Sequence, residues 1–446
     1  MPLTPHTILV ITLSSPSHLN MLDTKALDLY ERLVELPTPK AAVLIENGGE
    51  SRVVAPTAHG QGVQVEYSTC SLLRKVMGVA TSTIIPQTQT ETPLIPLDKD
   101  VLCTSWSPSG RRHVVFRKTN GADSHISVQV WSDVLEAELH GPHEEVYSDD
   151  TYGAPSWVED ESVLVYIAGF THVKDEADFG ARFHSRNGFQ IFALHLGSGP
   201  DARIEQLDLP HSYGDTYIDP QIISSNPLSL AVTRWRDMAN GVQLGLDLMS
   251  NRPTAVCLVT VGESTVQQVS AKGRSARSSR VIGDQLIYLS NAEEGTHHSC
   301  AVLHSRDLST GEDKILIDIV GSPEQPWGFP GIYPLALPFR PFALVDGEHY
   351  AVLSSPWLDI QTPIAVNLSD GTVHRLAPEP IDGEFASYAS QTVLCVRGDR
   401  VSLSRSSLNS PPVIAIARID HLRLVDEYVT KSKLVSSGEC LAENVR

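Results

Sequence analysis

The stretch LVDGEHYAVLSS (344–355) contains the pattern that decides the fold of this chain: a polar turn followed at once by an apolar strand. Short runs of β-branched and aromatic residues between turn signals are typical of all-β domains. The pattern recurs along the chain. Its copies are SWSPSGRRHVVF (105–116), PSWVEDESVLVYIA (155–168), SSNPLSLAVTRW (224–235), VIGDQLIYLS (281–290), LVDGEHYAVLSS (344–355) and YASQTVLCVRG (388–398).

The apolar strands of these copies begin about 43 to 65 residues apart, near Val114, Val163, Leu228, Leu286, Tyr350 and Val393. A second strand usually follows, as in AVCLVTV (255–261) and TPIAVNL (362–368). Thr310-Gly311 and Asp370-Gly371 then predict hairpin turns into a third strand, because glycine adopts positive φ without a steric penalty.

Repeating antiparallel units of about four strands, each buried against the next, predict a β-propeller. Six units are visible, and residues 41–100 hold strand-like sequence for a seventh. A β-sandwich is the alternative, but it does not explain so many similar units. We therefore expect an all-β, seven-bladed propeller.

One helix is expected before the propeller. Its apolar stripe consists of Leu22, Ala26, Leu29, Tyr30, Leu33, Val34 and Leu36. Pro37 and Pro39 end it, since proline lacks the backbone donor. The expected organisation is a disordered extension over 1–20, the helix over 21–39, the propeller over 40–420 and a tail over 421–446.

The composition of the chain argues against several classes of binding partner. The net charge of −19 argues against nucleic acid and anionic membranes, which repel an acidic surface. The best apolar run near the start, 8–13, is too short for a membrane helix and lacks the flanks of a signal peptide. Six widely spaced cysteines indicate free thiols in a reducing compartment, so a cytoplasmic location is expected.

The order of several motifs resembles the N-terminal region of acylaminoacyl-peptidases, in the prolyl oligopeptidase family. The motifs are ALDLYERLVELP (26–37), SPSGRRHVVFRK (107–118), HGPHEEVYSDDTYGAPSWVEDESVLVYIA (140–168), RWRDMANGVQLGLDLMSNRPTAVCLV (234–259) and GFPGIYPLALPFRPF (328–342). Each motif alone is weak, but their shared order over roughly 22–415 is specific. GARFHSRNGF (180–189) departs from the family pattern, so one blade is expected to be irregular.

The resemblance implies a propeller that gates access to an α/β-hydrolase domain, which releases N-acylated amino acids from blocked peptides. That domain has a Ser-Asp-His triad whose serine lies in Gly-x-Ser-x-Gly, and no such motif occurs in these 446 residues. We therefore predict no catalytic residues, cofactor site or metal site in this chain. The expected partners are a hydrolase domain or subunit and short N-acylated peptides, and the unpaired apolar helix makes a homo-oligomer an expected outcome.

Two groups of residues contain side chains that can bind metal ions. His297-His298 lacks further ligands at metal-binding spacing and is interpreted as a polar loop. Residues 149–150 and 159–161 are acidic but lack the spacing of a calcium loop, so turn capping and solvated charge are expected.

The cations Lys272, Arg274, Arg277 and Arg280 form a basic patch, interpreted as a solvated loop between blades instead of an anion site. Trp106 and Trp157 occupy corresponding places in two repeats and are predicted to pack between blades. Arg397-Gly398-Asp399 is interpreted as a tight turn.

Three functions remain open on the sequence. The first is the propeller part of an acylaminoacyl-peptidase, and the second is a free-standing propeller scaffold for protein partners. The third is an enzyme that uses the propeller channel, which requires converging carboxylates or histidines on the inner strands. A reading frame for Gly-x-Ser-x-Gly downstream of Arg446 would separate the first two.

Overall fold

The computed structural model describes residues 38–46, 61–71, 76–92, 95–98, 100–119, 125–132, 135–148, 152–169, 190–197, 201–210, 215–236, 250–325, 327–377, 390–407 and 410–430. These residues form thirty β-strands and one 3-10 turn, Pro86–Thr88, and contain no α-helix. Within these ranges, no helix is long and apolar enough to cross a membrane. The all-β prediction is confirmed, while the predicted helix over 21–39 lies almost wholly outside the described residues.

The strands form six sheets. Sheet 1 contains β1 (Thr38–Glu46), β2 (Gln61–Ser71), β3 (Val76–Ile85), β4 (Thr90–Glu91) and β5 (Ile95–Pro96). Sheet 2 contains β6 (Val101–Trp106), β7 (His113–Lys118), β8 (Ile126–Trp131) and β9 (Leu135–Gly141). Sheet 3 contains β10 (Glu145–Tyr147), β11 (Ser156–Trp157), β12 (Val163–Gly169), β13 (Gln190–His195) and β14 (Arg203–Gln206).

Two further four-stranded sheets follow. Sheet 4 contains β15 (Asp215–Ser225), β16 (Leu228–Arg236), β17 (Thr254–Thr260) and β18 (Val266–Gln268). Sheet 5 contains β19 (Arg274–Ile282), β20 (Gln285–Ala292), β21 (Val302–Asp307) and β22 (Asp313–Ile317).

Sheet 6 has eight strands in two halves. Sheet 6a contains β23 (Phe342–Val345), β24 (Glu348–Trp357), β25 (Ile360–Asn367) and β26 (Val373–Arg375). Sheet 6b contains β27 (Ser390–Arg397), β28 (Arg400–Ser407), β29 (Ser410–Asp420) and β30 (Arg423–Val429). Sheet pairing joins β25 to β27 through one parallel residue pair, Gln361 with Ser390.

Apolar residues alternate between the two faces of each central strand, and both faces are buried. In β12, Leu164 and Tyr166 pack toward sheet 2, whereas Val165 and Ile167 pack toward sheet 4. A strand places successive side chains on opposite faces, so burial on both sides requires a continuous apolar run. The runs that mark each repeat in the sequence are therefore the central strands of stacked sheets.

The sheets follow one another in space as they do in the chain. Buried clusters join sheets 2 and 3, 3 and 4, 4 and 5, 5 and 6a, and the two halves of sheet 6. A further cluster packs Val63 and Val65 of sheet 1 against Ile414 and Ile416 of sheet 6b. The last sheet therefore contacts the first, as in the ring of a β-propeller.

The ring has two faces that differ in their connections. Within a four-stranded antiparallel sheet the fourth strand ends on the side where the first begins. Thr38, at the start of β1, and Val429, at the end of β30, therefore lie on one face, which we call the entry face. Turns between the first and second strands of each sheet lie on the opposite face, the hairpin face.

First strands of neighbouring sheets contact each other, for example β15 with β19 and β1 with β27, so they form the inner wall.

Two sequence predictions need correction. The apolar strand predicted near Val393 is present as β27, but it is the first strand of sheet 6b and does not correspond to β24 as the repeat implied; β28 is the counterpart of β24. Both strands are apolar, so the pattern alone did not separate them. The predicted tail over 421–446 includes β30, which pairs with β29 and buries Tyr428, so strand structure continues to Val429, nine residues beyond the boundary placed at 420.

Candidate functional site

The inner wall of sheets 4 and 5 contains matching irregularities. The register of β15 against β16 shifts between Ile218 and Gln221, and that of β19 against β20 shifts between Arg277 and Arg280. Each bulge contains a residue at positive φ, Asp219 at 50° and Ser278 at 55°. Bulges redirect side chains that would otherwise alternate, and here they bring polar groups to the inner wall.

Asp219 and Arg280 form an ion pair across the two bulges. Arg280 Nη1 lies 3.0 Å from Asp219 Oδ2, and each side chain is only 6% exposed. The same guanidinium donates to the Ser279 carbonyl at 2.7 Å and lies over the Phe339 ring. A buried pair is tolerated when further hydrogen bonds satisfy its remaining donors, as they do here.

A proline-rich segment, residues 334–341, lies against β19. Arg280 Nε donates to the Pro338 carbonyl at 2.9 Å, and its Nη2 donates to the Leu337 carbonyl at 3.0 Å. Ser278 Oγ accepts from the Leu337 amide at 2.8 Å. Proline has no N–H, so this segment cannot form a regular ladder, and side chains of β19 satisfy its carbonyls instead.

Arg277 extends this contact. Its Nε donates to the Leu335 carbonyl at 2.6 Å, and its Nη1 donates to Asn291 Oδ1 at 2.8 Å. Burial lowers the pKa of Arg277 to about 10. Neutral oxygens thus surround a positive charge in the inner wall.

The segment continues to sheet 6b at Arg340. The Arg340 carbonyl accepts from the Val396 amide of β27 at 2.9 Å, and the Leu344 amide donates to the Gly398 carbonyl at 3.0 Å. Residues 334–341 therefore bridge the first strands of sheets 5 and 6b. This places three arginines, at 277, 280 and 340, along one arc of the inner wall.

On the hairpin face, a carboxylate bridges sheets 2 and 3. Glu161 Oε1 accepts from the Ser109 amide at 2.5 Å, and its carbonyl accepts from Arg112 Nη1 at 3.0 Å. The prediction of turn capping in 159–161 is confirmed for Asp160, which accepts from the Ser162 amide at 2.9 Å. Glu161 also caps a turn, but that turn belongs to the neighbouring sheet, and Glu161 is half-buried instead of fully solvated.

The basic patch was also predicted wrongly. Arg274, Arg277 and Arg280 belong to β19 and not to a solvated loop. Arg277 and Arg280 are held by partners about 60 residues downstream in the chain. The polar character of RSARSSR (274–280) hid the strand, and the only available signal was its place directly before a hairpin and a central strand.

The other local predictions concern a loop, two tryptophans and a turn. His297 is exposed in a turn, in agreement with the predicted polar loop. Trp157 packs between sheets 2 and 3, with its Nε1 donating to Ser105 Oγ at 2.9 Å, which confirms the predicted packing between blades. Trp106 is buried against the His113 ring of its own sheet. Gly398, at φ 58°, lies in the tight turn between β27 and β28.

Comparison with known proteins identifies the class. The sequence model of the family "Acylamino-acid-releasing enzyme, N-terminal domain" matches residues 82–175 and 171–445, so the chain belongs to this family. It is 26% identical over 362 residues to the acylamino-acid-releasing enzyme of Mus musculus, covering 70% of this chain and 46% of that protein. The corresponding enzyme of Arabidopsis thaliana is 25% identical over 361 residues and is covered to 46%.

The fold agrees with a solved structure. The acylaminoacyl peptidase of Pyrococcus horikoshii superposes with a TM-score of 0.53 at 9% identity, covering 90% of this chain and 53% of that one. The chain therefore spans about half the length of the relatives it matches. The resemblance predicted from the motif order is confirmed.

Proposed function

We propose that this chain is the seven-bladed, substrate-gating propeller of an acylamino-acid-releasing enzyme. The family match over 82–175 and 171–445 carries the proposal. The propeller has seven blades if sheets 6a and 6b are counted as separate blades. Two observations support this count: only one parallel residue pair connects them, and they pack against each other through an apolar cluster. The propeller then spans about residues 38–430. The predicted helix would end before Thr38, because Thr38 and Pro39 belong to β1.

In this proposal the entry face meets an α/β-hydrolase domain that contains the catalytic serine. Apolar groups are exposed there: Trp327 is 76% exposed, and Leu358 and Ile319 are about half exposed. Trp357, which ends β24 on this face, packs against Phe329 and donates from Nε1 to the Trp327 carbonyl at 3.1 Å. We call Ile319, Trp327, Phe329, Trp357 and Leu358 the tryptophan patch.

The ring would restrict the hydrolase domain to short N-acylated peptides, because a folded protein cannot pass between the inner strands. The chain itself supplies no nucleophile elbow and is not expected to be catalytic. A cytoplasmic location is supported by Cys103, Cys257, Cys300 and Cys395, which are thiols and not disulfides.

Co-expression with the hydrolase domain of the mouse relative tests the proposal. We expect co-elution on size exclusion and hydrolysis of an acetyl-alanyl substrate only when both parts are present. The chain alone should neither hydrolyse the substrate nor react with a fluorophosphonate.

Matched variants locate the contact. Trp327→Ser on the entry face should weaken co-elution. Trp131→Ser is the control, because Trp131 ends β8 on the hairpin face, and it should leave co-elution unchanged. A wild-type monomer that ignores the hydrolase domain would favour a free-standing scaffold.

A further inference from the structure

Arg340 is placed where a ligand in the ring would pass. The Leu337 and Pro338 carbonyls bind Arg280 of β19, and the Arg340 carbonyl binds the Val396 amide of β27. Both strands are first strands of their sheets, so Arg340 lies on the inner wall. Its side chain is partly exposed to solvent.

The guanidinium of Arg340 differs from those of its neighbours in having no partner. Arg280 is paired with Asp219, and Arg277 donates to Asn291 and to carbonyls. Arg340 makes no side-chain hydrogen bond or ion pair with any part of the chain that the structure describes. Its five N–H donors are therefore available, although protein encloses the group.

The surroundings favour the binding of an anion. Burial lowers the pKa of Arg340; Cys395 raises it, Arg397 lowers it and Glu161 raises it, each by a smaller amount. Glu161 already accepts from the Ser109 amide. An enclosed guanidinium without a carboxylate partner is costly in the empty ring and is compensated when an anionic ligand binds.

We propose that Arg340 is a binding residue for the carboxylate of short peptides inside the ring. This inference rests on the proposed function and adds a chemical basis for selection. Acylation removes the positive charge of the peptide amino terminus, so a blocked peptide without other charged groups carries only its carboxylate charge. Arginine presents a fork of donors that matches a carboxylate in a bidentate arrangement.

The test measures peptide binding to the isolated chain by calorimetry. The probes are acetyl-trialanine with a free carboxylate and the same peptide as its carboxamide. We expect wild type to bind the carboxylate form roughly tenfold more tightly, as a charge-assisted hydrogen bond predicts. Arg340→Gln should remove this preference, and Arg340→Lys should retain part of it.

Arg306→Gln is the matched control, since Arg306 loses the same charge but pairs with Asp313 on the outer strands of sheet 5. It should bind like wild type, and thermal melts should show that all variants are folded. Equal affinity of wild type for both peptides, or an unchanged preference in Arg340→Gln, would overturn the proposal. Both the calorimetry and the thermal melts use the chain without the hydrolase domain. A negative result in peptide binding can therefore be distinguished from a co-expression experiment that yields no activity.

Discussion

The arc of the ring at sheets 4 to 6 and the seam between sheets 6b and 1 are held together differently. In the arc, buried ionic and hydrogen-bonded groups link β15, β19 and residues 334–341, in addition to the apolar clusters between its sheets. At the seam, Val63, Val65 and Ile84 pack against Ile414 and Ile416, and Gln89 Nε2 donates to the Glu427 carbonyl at 2.9 Å. Among the described strands no sheet pairing crosses the seam.

This difference suggests how the ring divides its tasks. Directional polar contacts in the arc fix the positions of the inner strands, which a channel of defined width requires. Apolar packing at the seam is non-directional and tolerates small displacements of one sheet against the other. The arc is therefore expected to be the rigid part and the seam the first place to open.

The largest expected effect is at the centre of the arc. Asp219→Asn keeps the size of the side chain and tolerates the positive φ, but it leaves Arg280 buried without a counter-charge. We expect a loss of about 4 kcal/mol in the free energy of unfolding. Urea denaturation measures it. Asp313→Asn, which breaks the more exposed pair with Arg306, should cost less than about 1 kcal/mol.

At the seam, Ile414→Ala removes a fully buried side chain and should cost about 3 kcal/mol. Its matched partner is Ile287→Ala, equally buried between sheets 5 and 6a. Hydrogen exchange should show faster exchange mainly in β1 to β3 for Ile414→Ala. If both variants loosen the same strands, the seam is no weaker than the rest of the ring.

The pH dependence tests a third interface, between sheets 2 and 3. His143 is fully buried against Phe192 and Tyr166, and burial lowers its pKa to about 4 from an ordinary 6.5. Between these values the unfolded chain binds a proton that the folded chain does not. Stability therefore falls as pH drops from about 6.5 towards 4, by about 3 kcal/mol for this residue.

His143→Phe should flatten that part of the stability curve without abolishing it, since burial also lowers the pKa of His113 and His304 to about 4. Denaturant titrations at several pH values measure the slope. The exposed His297→Gln is the control and should leave it unchanged. An unaltered slope in His143→Phe would show that this histidine is protonated in the folded chain.

The smallest expected effect is the difference in stability between alanine substitutions in two turns of sheet 6a. Gly371 and Gly347 have similar φ values of 81° and 85°, but an added Cβ would overlap the Leu316 carbonyl only at Gly371. Alanine at Gly347 should cost about 1 kcal/mol from backbone strain, and alanine at Gly371 about 1 kcal/mol more. Thermal melts of the two variants test this difference, and equal melting temperatures would show that sheets 5 and 6a separate freely at that turn.

The sequence predicts the repeating strands well because each central strand is buried on both faces. Leu286 to Leu289 and Val163 to Ile167 had to be apolar wherever they lay in the ring. The predicted hairpins at Gly311 and Gly371 are confirmed by positive φ at both. Turn chemistry and burial are local requirements, so a single sequence displays them.

The inner wall was not predictable in the same way. The glycine and serine between the cations predict a solvated loop for Arg277 and Arg280, yet their partners are backbone carbonyls of 334–338 and the Asp219 carboxylate. Those contacts depend on bulges and on a proline-rich segment far away in the chain. The spacing of residues along the sequence does not reveal such long-range contacts.

The closed ring underlies every other conclusion, and photo-cross-linking at the seam tests it most directly. Tyr428 lies in the seam cluster with Val63, Val65 and Ile84. With benzoylphenylalanine in place of Tyr428, irradiation followed by mass spectrometry should yield adducts on peptides containing 61–71 or 76–85. Adducts confined to peptides of sheet 6 would contradict closure and leave an open arc of sheets.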